Sequence, residues 1–290
     1  MSVIRPVRSS IVIGADLGAT RLRLIAVRDG HVVGRLSTAA PSGSDLWKFL
    51  HGVWKERGWT RREVGALVIA SRGIWTARER RALAVRLARL AAHVEVLSDA
   101  QAALLGALGD SPGVLILAGT GSIVIGRDAR GGWARAGGLG PLLGDEGSAF
   151  WIGRAWLRAT THGEDFLPVR RLVTGPNAVA RIAALAPAVL SRARRGDRRA
   201  RAIVSEAQMH LAKLARDVAR QLRLPSPITV SWAGGVLDDS RFRVGLERAV
   251  TRSGLRARWR APVAAPVVAA VALAQRALGT LPEALGRRVL

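Results

Sequence analysis

Two short segments constrain what this chain can fold into more than anything else in it, because each reads as strand, glycine turn, returning strand. In the first, Ser10 to Ala15 is apolar and β-branched, and Asp16-Leu17-Gly18-Ala19-Thr20 makes the turn. Arg21 to Val27 returns with Leu22, Leu24 and Ala26 alternating against Arg21, Arg23 and Ile25. In the second, Val114 to Ala118 leads into Gly119-Thr120-Gly121-Ser122 and Ile123 to Gly126 returns. Each unit opens a block that continues with helices and further short strands. That repetition predicts a duplicated α/β architecture with a central cleft, divided into an N-terminal domain, 1–112, and a C-terminal domain with helical additions, 113–290.

Further elements fill the two blocks. Asp29-Gly30 is a hairpin signal after which His31 to Leu36 returns as a third strand. Helical spacing covers Asp45 to Arg57 and Ala77 to Ala92, with short buried strands at Val64 to Ala70 and Val94 to Leu97. Ser98-Asp99 opens a helix that runs to Leu108. In the second block, helices are expected from Ser148 to Thr160, Ala200 to Leu222 and Val267 to Leu278, with a late strand, Ile228 to Trp232, ending at Gly234-Gly235.

Several of these positions carry chemistry. A glycine at the tip of a hairpin lets backbone N–H groups approach a phosphate with no Cβ in the way. Thr20 adds a hydroxyl beside Gly18, and Asp16, at the end of its strand, is placed to hold Mg²⁺ through water. Gly119, Thr120 and Gly121 repeat this logic, so two turns are available to clamp a polyphosphate, although each alone is also an ordinary glycine hairpin. Asp99 follows a strand at its carboxyl end, where open α/β sheets bind ligands. It reads either as a base towards an alcohol in phosphoryl transfer or, like Ser98, as the helix N-cap. The segment Gly137 to Ser148 packs glycines around Asp145 and Glu146, whose carboxylates suit substrate hydroxyls and help with a metal. Acids at a helix start with Ser148 capping are the plainer alternative, one that leaves the glycines unexplained.

Composition narrows the classes. With no cysteine, disulfides, zinc thiolates and cysteine-bound iron–sulfur clusters are excluded. A net charge of +24 invites a nucleic-acid reading, but only Lys48, Lys55 and Lys213 among the 45 basic residues are lysines. The excess is arginine, as a GC-rich genome produces. The densest run, Arg192 to Arg201, has no interleaved aromatics for base stacking, so nucleic acid is not the expected partner. Ala261 to Ala274 is too short for a membrane span, and the N-terminus lacks a signal-peptide pattern. A soluble, cytoplasmic protein is expected. The five histidines are scattered without ligand spacing.

Taken together, Asp16 to Thr20, Ser98-Asp99-Ala100, Ala118 to Ser122, Gly137 to Gly140 with Leu143 to Ser148, and Ala233 to Val236 resemble the N-acetylglucosamine kinase and BadF/BadG/BcrA/BcrD-type ATPase family, within the sugar kinase and actin-like ATPase superfamily. The resemblance implies two RNase H-like domains, ATP and Mg²⁺ as cofactors, a small-molecule sugar substrate and a homodimer. It implies that Thr20 and Thr120 contact phosphates, Gly234 and Gly235 contact adenosine, Asp99 is the catalytic base, and Ser122, Gly140 and Asp145 contact sugar. The implied activity is ATP-dependent phosphorylation of glucosamine or N-acetylglucosamine. The chain departs from the pattern in carrying Ile123 and Leu139 where an Asn and a Trp are common, and in lacking an Asn in Thr38 to Ser44. Activators of 2-hydroxyacyl-CoA dehydratases share the resemblance but need cysteines. The remaining alternative is an ATP-binding regulator, or a nucleic-acid-associated protein, without kinase activity.

Overall fold

The computed structural model describes residues 10–18, 20–41 and 45–279. The amino-terminal segment, Ala19 of the first turn and part of the loop after Thr38 lie outside the described residues. The chain forms two compact units: residues up to Gly109 together with those from Val263 onward, and Asp110 to Pro262.

The first unit contains β1 (Ile11–Leu17), β2 (Arg21–Arg28), β3 (His31–Ala39), α1 (Leu46–Arg57), β4 (Val64–Ser71), α2 (Ala77–Leu87), β5 (His93–Ser98) and α3 (Asp99–Leu108). Its sheet has the order β3-β2-β1-β4-β5. The central strand β1 is antiparallel to β2 on one side and parallel to β4 on the other, and β4 is parallel to β5. Apolar side chains of α1 and α2, among them Leu50, Trp54 and Leu87, pack with Ile11, Ile13 and Leu22 on one face. On the other face Val267, Ala270, Val271 and Ala274 pack with Val12, Ile25, Val27 and Val68. That second layer explains why Ile25, expected on a polar row, is buried: both faces of the sheet are covered.

The second unit contains β6 (Gly113–Ala118), β7 (Ser122–Arg127), β8 (Trp133–Gly137), α4 (Gly140–Leu143), α5 (Ala149–Thr160), α6 (Phe166–Thr174), α7 (Ala178–Ala183), α8 (Ala186–Arg194), α9 (Arg198–Gln221), β9 (Ile228–Ala233), α10 (Ser240–Arg252) and β10 (Ala257–Trp259). Its sheet order, β10-β9-β6-β7-β8, repeats the first: a central strand with two antiparallel neighbours on one side and two parallel strands on the other. Helix α9 buries Ala200, Ile203, Ala207, Leu211, Ala215 and Val218, a stripe at helical spacing.

Three local differences from the sequence expectation have physical causes. The last helix, α11 (Pro266–Ala277), was expected in the second half but belongs to the first unit, where its small apolar face lies on β1 and β4. Helix α2 ends at Leu87, not Ala92, because Ala92 N–H already donates to Val64 C=O at 2.9 Å and so commits the chain to the sheet. Strands β8 and β10 escape a periodicity reading because Trp133 to Gly137 has no apolar alternation and Ala257 to Trp259 is too short to show any.

The buried Trp54 indole N–H donates to Leu90 C=O at 2.8 Å, tying α1 to the segment that leads into β5. Trp54→Phe keeps most of the apolar contact and removes that bond, so chemical denaturation should show a loss of about 1–2 kcal/mol.

Candidate active site

In the first unit the parallel strands end together. The register pairs Leu17 with Ser71 and Ser71 with Ser98, so the β1–β2 turn and the residues after β4 and β5 share one end of the sheet. Asp16, on the last turn-side stretch of β1, is 6 % exposed. Its cross-strand partner on β2 is Arg23, whose guanidinium approaches the carboxylate at 3.7 Å. The turn is closed by Gly18 N–H donating to Arg21 C=O at 3.0 Å, and the exposed Thr20 accepts from Ala40 N–H through its own carbonyl.

Asp99 begins α3, but it is not the cap. Ser98 Oγ accepts the Gln101 N–H at 3.1 Å, and Gln101 Oε1 accepts the Ser98 N–H at 3.1 Å. This reciprocal pair completes the helix start. The Asp99 carboxylate accepts from Ala100 N–H, through Oδ1 at 2.8 Å. Of the two readings the sequence left open for this position, the capping role falls to Ser98.

In the second unit, Gly119 N–H donates to Gly121 C=O at 2.9 Å and closes the turn, leaving Thr120 exposed at its tip. Ser122 and Asp145 are both buried and bonded to one another: Asp145 Oδ1 accepts the Ser122 N–H at 3.0 Å. Ser122 Oγ donates to Glu146 C=O at 2.8 Å, which leaves the half-buried Glu146 side chain uninvolved in that bond. Gly140 opens the short α4 with φ +77°. Gly234, after β9, has φ +104°, and a Cβ there would stand 2.5 Å from Ala118 O. The β9–α10 turn is thereby pressed onto the end of β6, with Val236 N–H donating to Ala118 C=O at 3.1 Å. Gly235 next to it is exposed and has open space where a side chain would project.

The structure thus brings Asp16, Gly18, Thr20 and Asp99 to one end of the first sheet. It brings Gly119, Thr120, Gly121, Ser122, Asp145 and Gly234 to the corresponding end of the second. Sequence reasoning singled out neither Arg23 nor Arg72. Both act on these carboxylates, but in a chain so rich in arginine nothing in the residue type marks them; only the register does.

Burial pushes the Asp16 carboxyl above its ordinary range; the Arg23 charge offsets part of this and the nearby Asp99 adds to it. Burial likewise pushes Asp99 up, against the pull of the backbone N–H groups of Ala100 and Asp99 and of the Arg72 charge. Asp145 is raised by burial too, opposed by the bond from Ser122. A carboxyl raised in the folded state stabilises it only when protonated, so that contribution is lost as pH rises through the folded value. Ionised Asp16 is therefore a cost at neutral pH. Asp16→Asn should unfold at a higher temperature than wild type at pH 7, and the gap should close as pH falls towards 3.8, the ordinary carboxyl value.

Residues 13–274 match the BadF/BadG/BcrA/BcrD ATPase family. Over 169 residues, 51 % of this chain, the sequence is 31 % identical to the N-acetylmuramic acid/N-acetylglucosamine kinase of Clostridium acetobutylicum; the match spans 55 % of that relative's length. Among solved structures, a protein from Chromobacterium violaceum, provisionally described as an N-acetylglucosamine kinase, superposes with a TM-score of 0.68 at 25 % identity. That superposition covers 92 % of this chain and 100 % of the other. The ROK hexokinase of Thermus thermophilus shares the fold at a TM-score of 0.58 and 18 % identity, over 91 % of this chain and 98 % of its own. With the family match running from β1 to α11 and both sheets built on the same plan, this chain belongs to the BadF/BadG/BcrA/BcrD ATPase family.

Proposed function

We propose that this protein is an ATP-dependent kinase that phosphorylates a hydroxyl of an amino sugar such as N-acetylglucosamine or glucosamine. The observation that carries the reading is Asp99: a half-buried carboxylate at the carboxyl end of a parallel strand, relieved of capping by Ser98. Such a group orients an acceptor hydroxyl and takes its proton as the phosphoryl group is transferred. Burial, which pushes its pKa up, makes it a stronger base than a solvated carboxylate. The names of the Clostridium acetobutylicum and Chromobacterium violaceum relatives support the amino-sugar half of the reading.

The other residues take roles consistent with this. Thr20 and Thr120 present exposed hydroxyls beside Gly18 and between Gly119 and Gly121, where phosphate oxygens are met without steric hindrance. The open face at Gly235, beside the tightly packed Gly234, suits adenosine. Gly140 and Glu146 are the candidates for sugar hydroxyls. The donor set fits magnesium: Asp16 is a buried carboxylate with one guanidinium at 3.7 Å, and a cation would offset the burial that raises it. Among the described residues no group of three or more acidic, histidine or cysteine side chains could hold a metal. That suits an ion held mostly by phosphate and water, with Asp16 as its protein contact; when bound, magnesium would neutralise charge on the phosphates.

ATP-dependent turnover measured across amino sugars and plain hexoses tests the reading. Turnover of an amino sugar is expected. Asp99→Asn should then lower kcat by about 10²–10⁴ with nucleotide affinity little changed. Because the base works ionised, the wild-type rate should fall as pH drops through a value above the ordinary 3.8, an acid limb that Asp99→Asn lacks. Nucleotide binding without turnover of any sugar would favour the regulator reading; wild-type rates in Asp99→Asn would remove the base assignment.

A further inference from the structure

In the first sheet the parallel strands stand in the order β1-β4-β5, so the side chain that ends β4 lies between those that end β1 and β5. The register pairs Asp16 with Ala70 and Ala70 with Leu97, which puts all three on one face. On that face Ala70 and Leu97 join the apolar layer that includes Val267 and Val271 of α11. Two residues further along, alternation returns Arg72 and Asp99 to the same face. Ser98 keeps extended dihedrals, φ −74° and ψ 152°, so the alternation carries through to Asp99. The result is an arginine flanked by two acids: Asp16 one repeat lower on β1, and Asp99 level with it after β5. The Arg72 charge acts on Asp99, and Asp99 acts on Asp16, which links the three groups electrostatically.

The backbone of Arg72 is held from both sides. Its N–H donates to Leu17 C=O at 3.1 Å, extending the ladder between β1 and β4. Gly73, φ +72°, then turns the chain away, and α2 begins at Ala77. Thr76 and Glu79 form a reciprocal cap there, Trp75 N–H donates to Glu79 Oε2 at 2.8 Å, and Arg80 donates to Trp75 C=O at 3.0 Å. The exposed Arg72 side chain thus projects from a fixed origin. Two other arginines of this edge are engaged elsewhere: Arg23 approaches Asp16 at 3.7 Å, and Arg21 donates to Ser37 Oγ at 3.1 Å.

In phosphoryl transfer the acceptor hydroxyl oxygen bonds to the terminal phosphorus of ATP as the bond from that phosphorus to its bridging oxygen breaks. ADP leaves with the electron pair, and the hydroxyl proton passes to Asp99. The outer oxygens of the moving group carry its negative charge. With Asp16 beside the phosphates and Asp99 at the acceptor hydroxyl, that charge builds up between the two acids, over the end of β4. Two carboxylates alone would repel it. A guanidinium supplies the opposing charge and a planar pair of N–H donors that matches two phosphoryl oxygens. We propose that Arg72 is a catalytic residue, its guanidinium binding the transferred phosphoryl group between Asp16 and Asp99. This rests on the kinase reading of the same site and adds a residue to it.

The test is run above the acid limb of the rate profile, where Asp99 is ionised. There Arg72→Ala should lower kcat by about 10²–10³, the range for losing one donor to a developing oxyanion, with sugar KM and ADP affinity little changed. Arg72→Lys, which keeps the charge without the fork, should recover part of the loss. Added guanidinium should rescue Arg72→Ala, which a merely structural role would not allow. Calorimetric affinity for ADP with aluminium fluoride, a mimic of the transferred group, in the presence of Mg²⁺ and sugar should fall in Arg72→Ala by a factor similar to that in kcat, while affinity for ADP alone holds. Should Arg72→Ala fail to fold, Arg72→Gln and Arg72→Lys carry the test on the same readouts. Wild-type kcat in Arg72→Ala on that plateau, with only the acid limb displaced to higher pH, would show that Arg72 acts solely on the charge of Asp99 and would overturn the proposal. A rise in sugar KM at unchanged kcat would overturn it as well. Either result leaves the kinase reading standing, whereas a wild type that turns over no sugar removes both.

Discussion

In each unit the placement of the candidate residues depends on the mixed pairing of the sheet's central strand. Because β1 is antiparallel to β2 and parallel to β4, the β1–β2 turn and the carboxyl ends of β1, β4 and β5 must lie at one end of the sheet. The same constraint in the second unit puts the β6–β7 turn beside the end of β9, so that Gly234 rests on Ala118. No long-range coincidence is needed to bring Asp16 near Asp99, or Thr120 near Gly234. The topology delivers polar groups from several elements to one edge, where strands run out and backbone amides are released from the ladder. The hydrophobic layers on both faces of the first sheet hold that edge rigid, and α11, arriving from the far end of the sequence, completes one of them.

That rigidity has an electrostatic consequence. Asp16, Asp99 and Asp145 are all carboxylates drawn out of water and raised by burial, with arginines only partly compensating. A fold selected for stability alone would have placed amides or apolar groups there. In each unit, an acid kept where burial raises its pKa marks a candidate functional position. In the proposed reading burial acts twice on Asp99: the loss of hydration that would make it a stronger base also opposes its ionisation in the folded state.

Much of this was legible in the chain. The glycine turns, the strands either side of them and the carboxylate after Val94 to Leu97 stand out because period-two apolar runs and glycine tips are local signals. Other features were not legible because they are tertiary. The burial of Ile25 comes from a helix more than two hundred residues away in sequence, and the assignment of α11 to the first unit has the same origin. The Ser98 cap was one of two possibilities until Gln101 was seen to answer it. The bond from Ser122 to Asp145 has no sequence signature at all; an acid in a glycine-rich loop looks equally suited to a sugar, a metal or a backbone amide, and the close approach that the missing Cβ of Gly121 allows is tertiary.

Amide hydrogen exchange of the wild-type protein, with and without a nonhydrolysable ATP analogue and Mg²⁺, tests the central claim that the glycine turn of each unit serves nucleotide binding. The account predicts slowed exchange in peptides covering Gly18 to Thr20 and in those covering Gly119 to Gly121 on addition of the analogue. Slowing at one turn alone, or at neither, would contradict it.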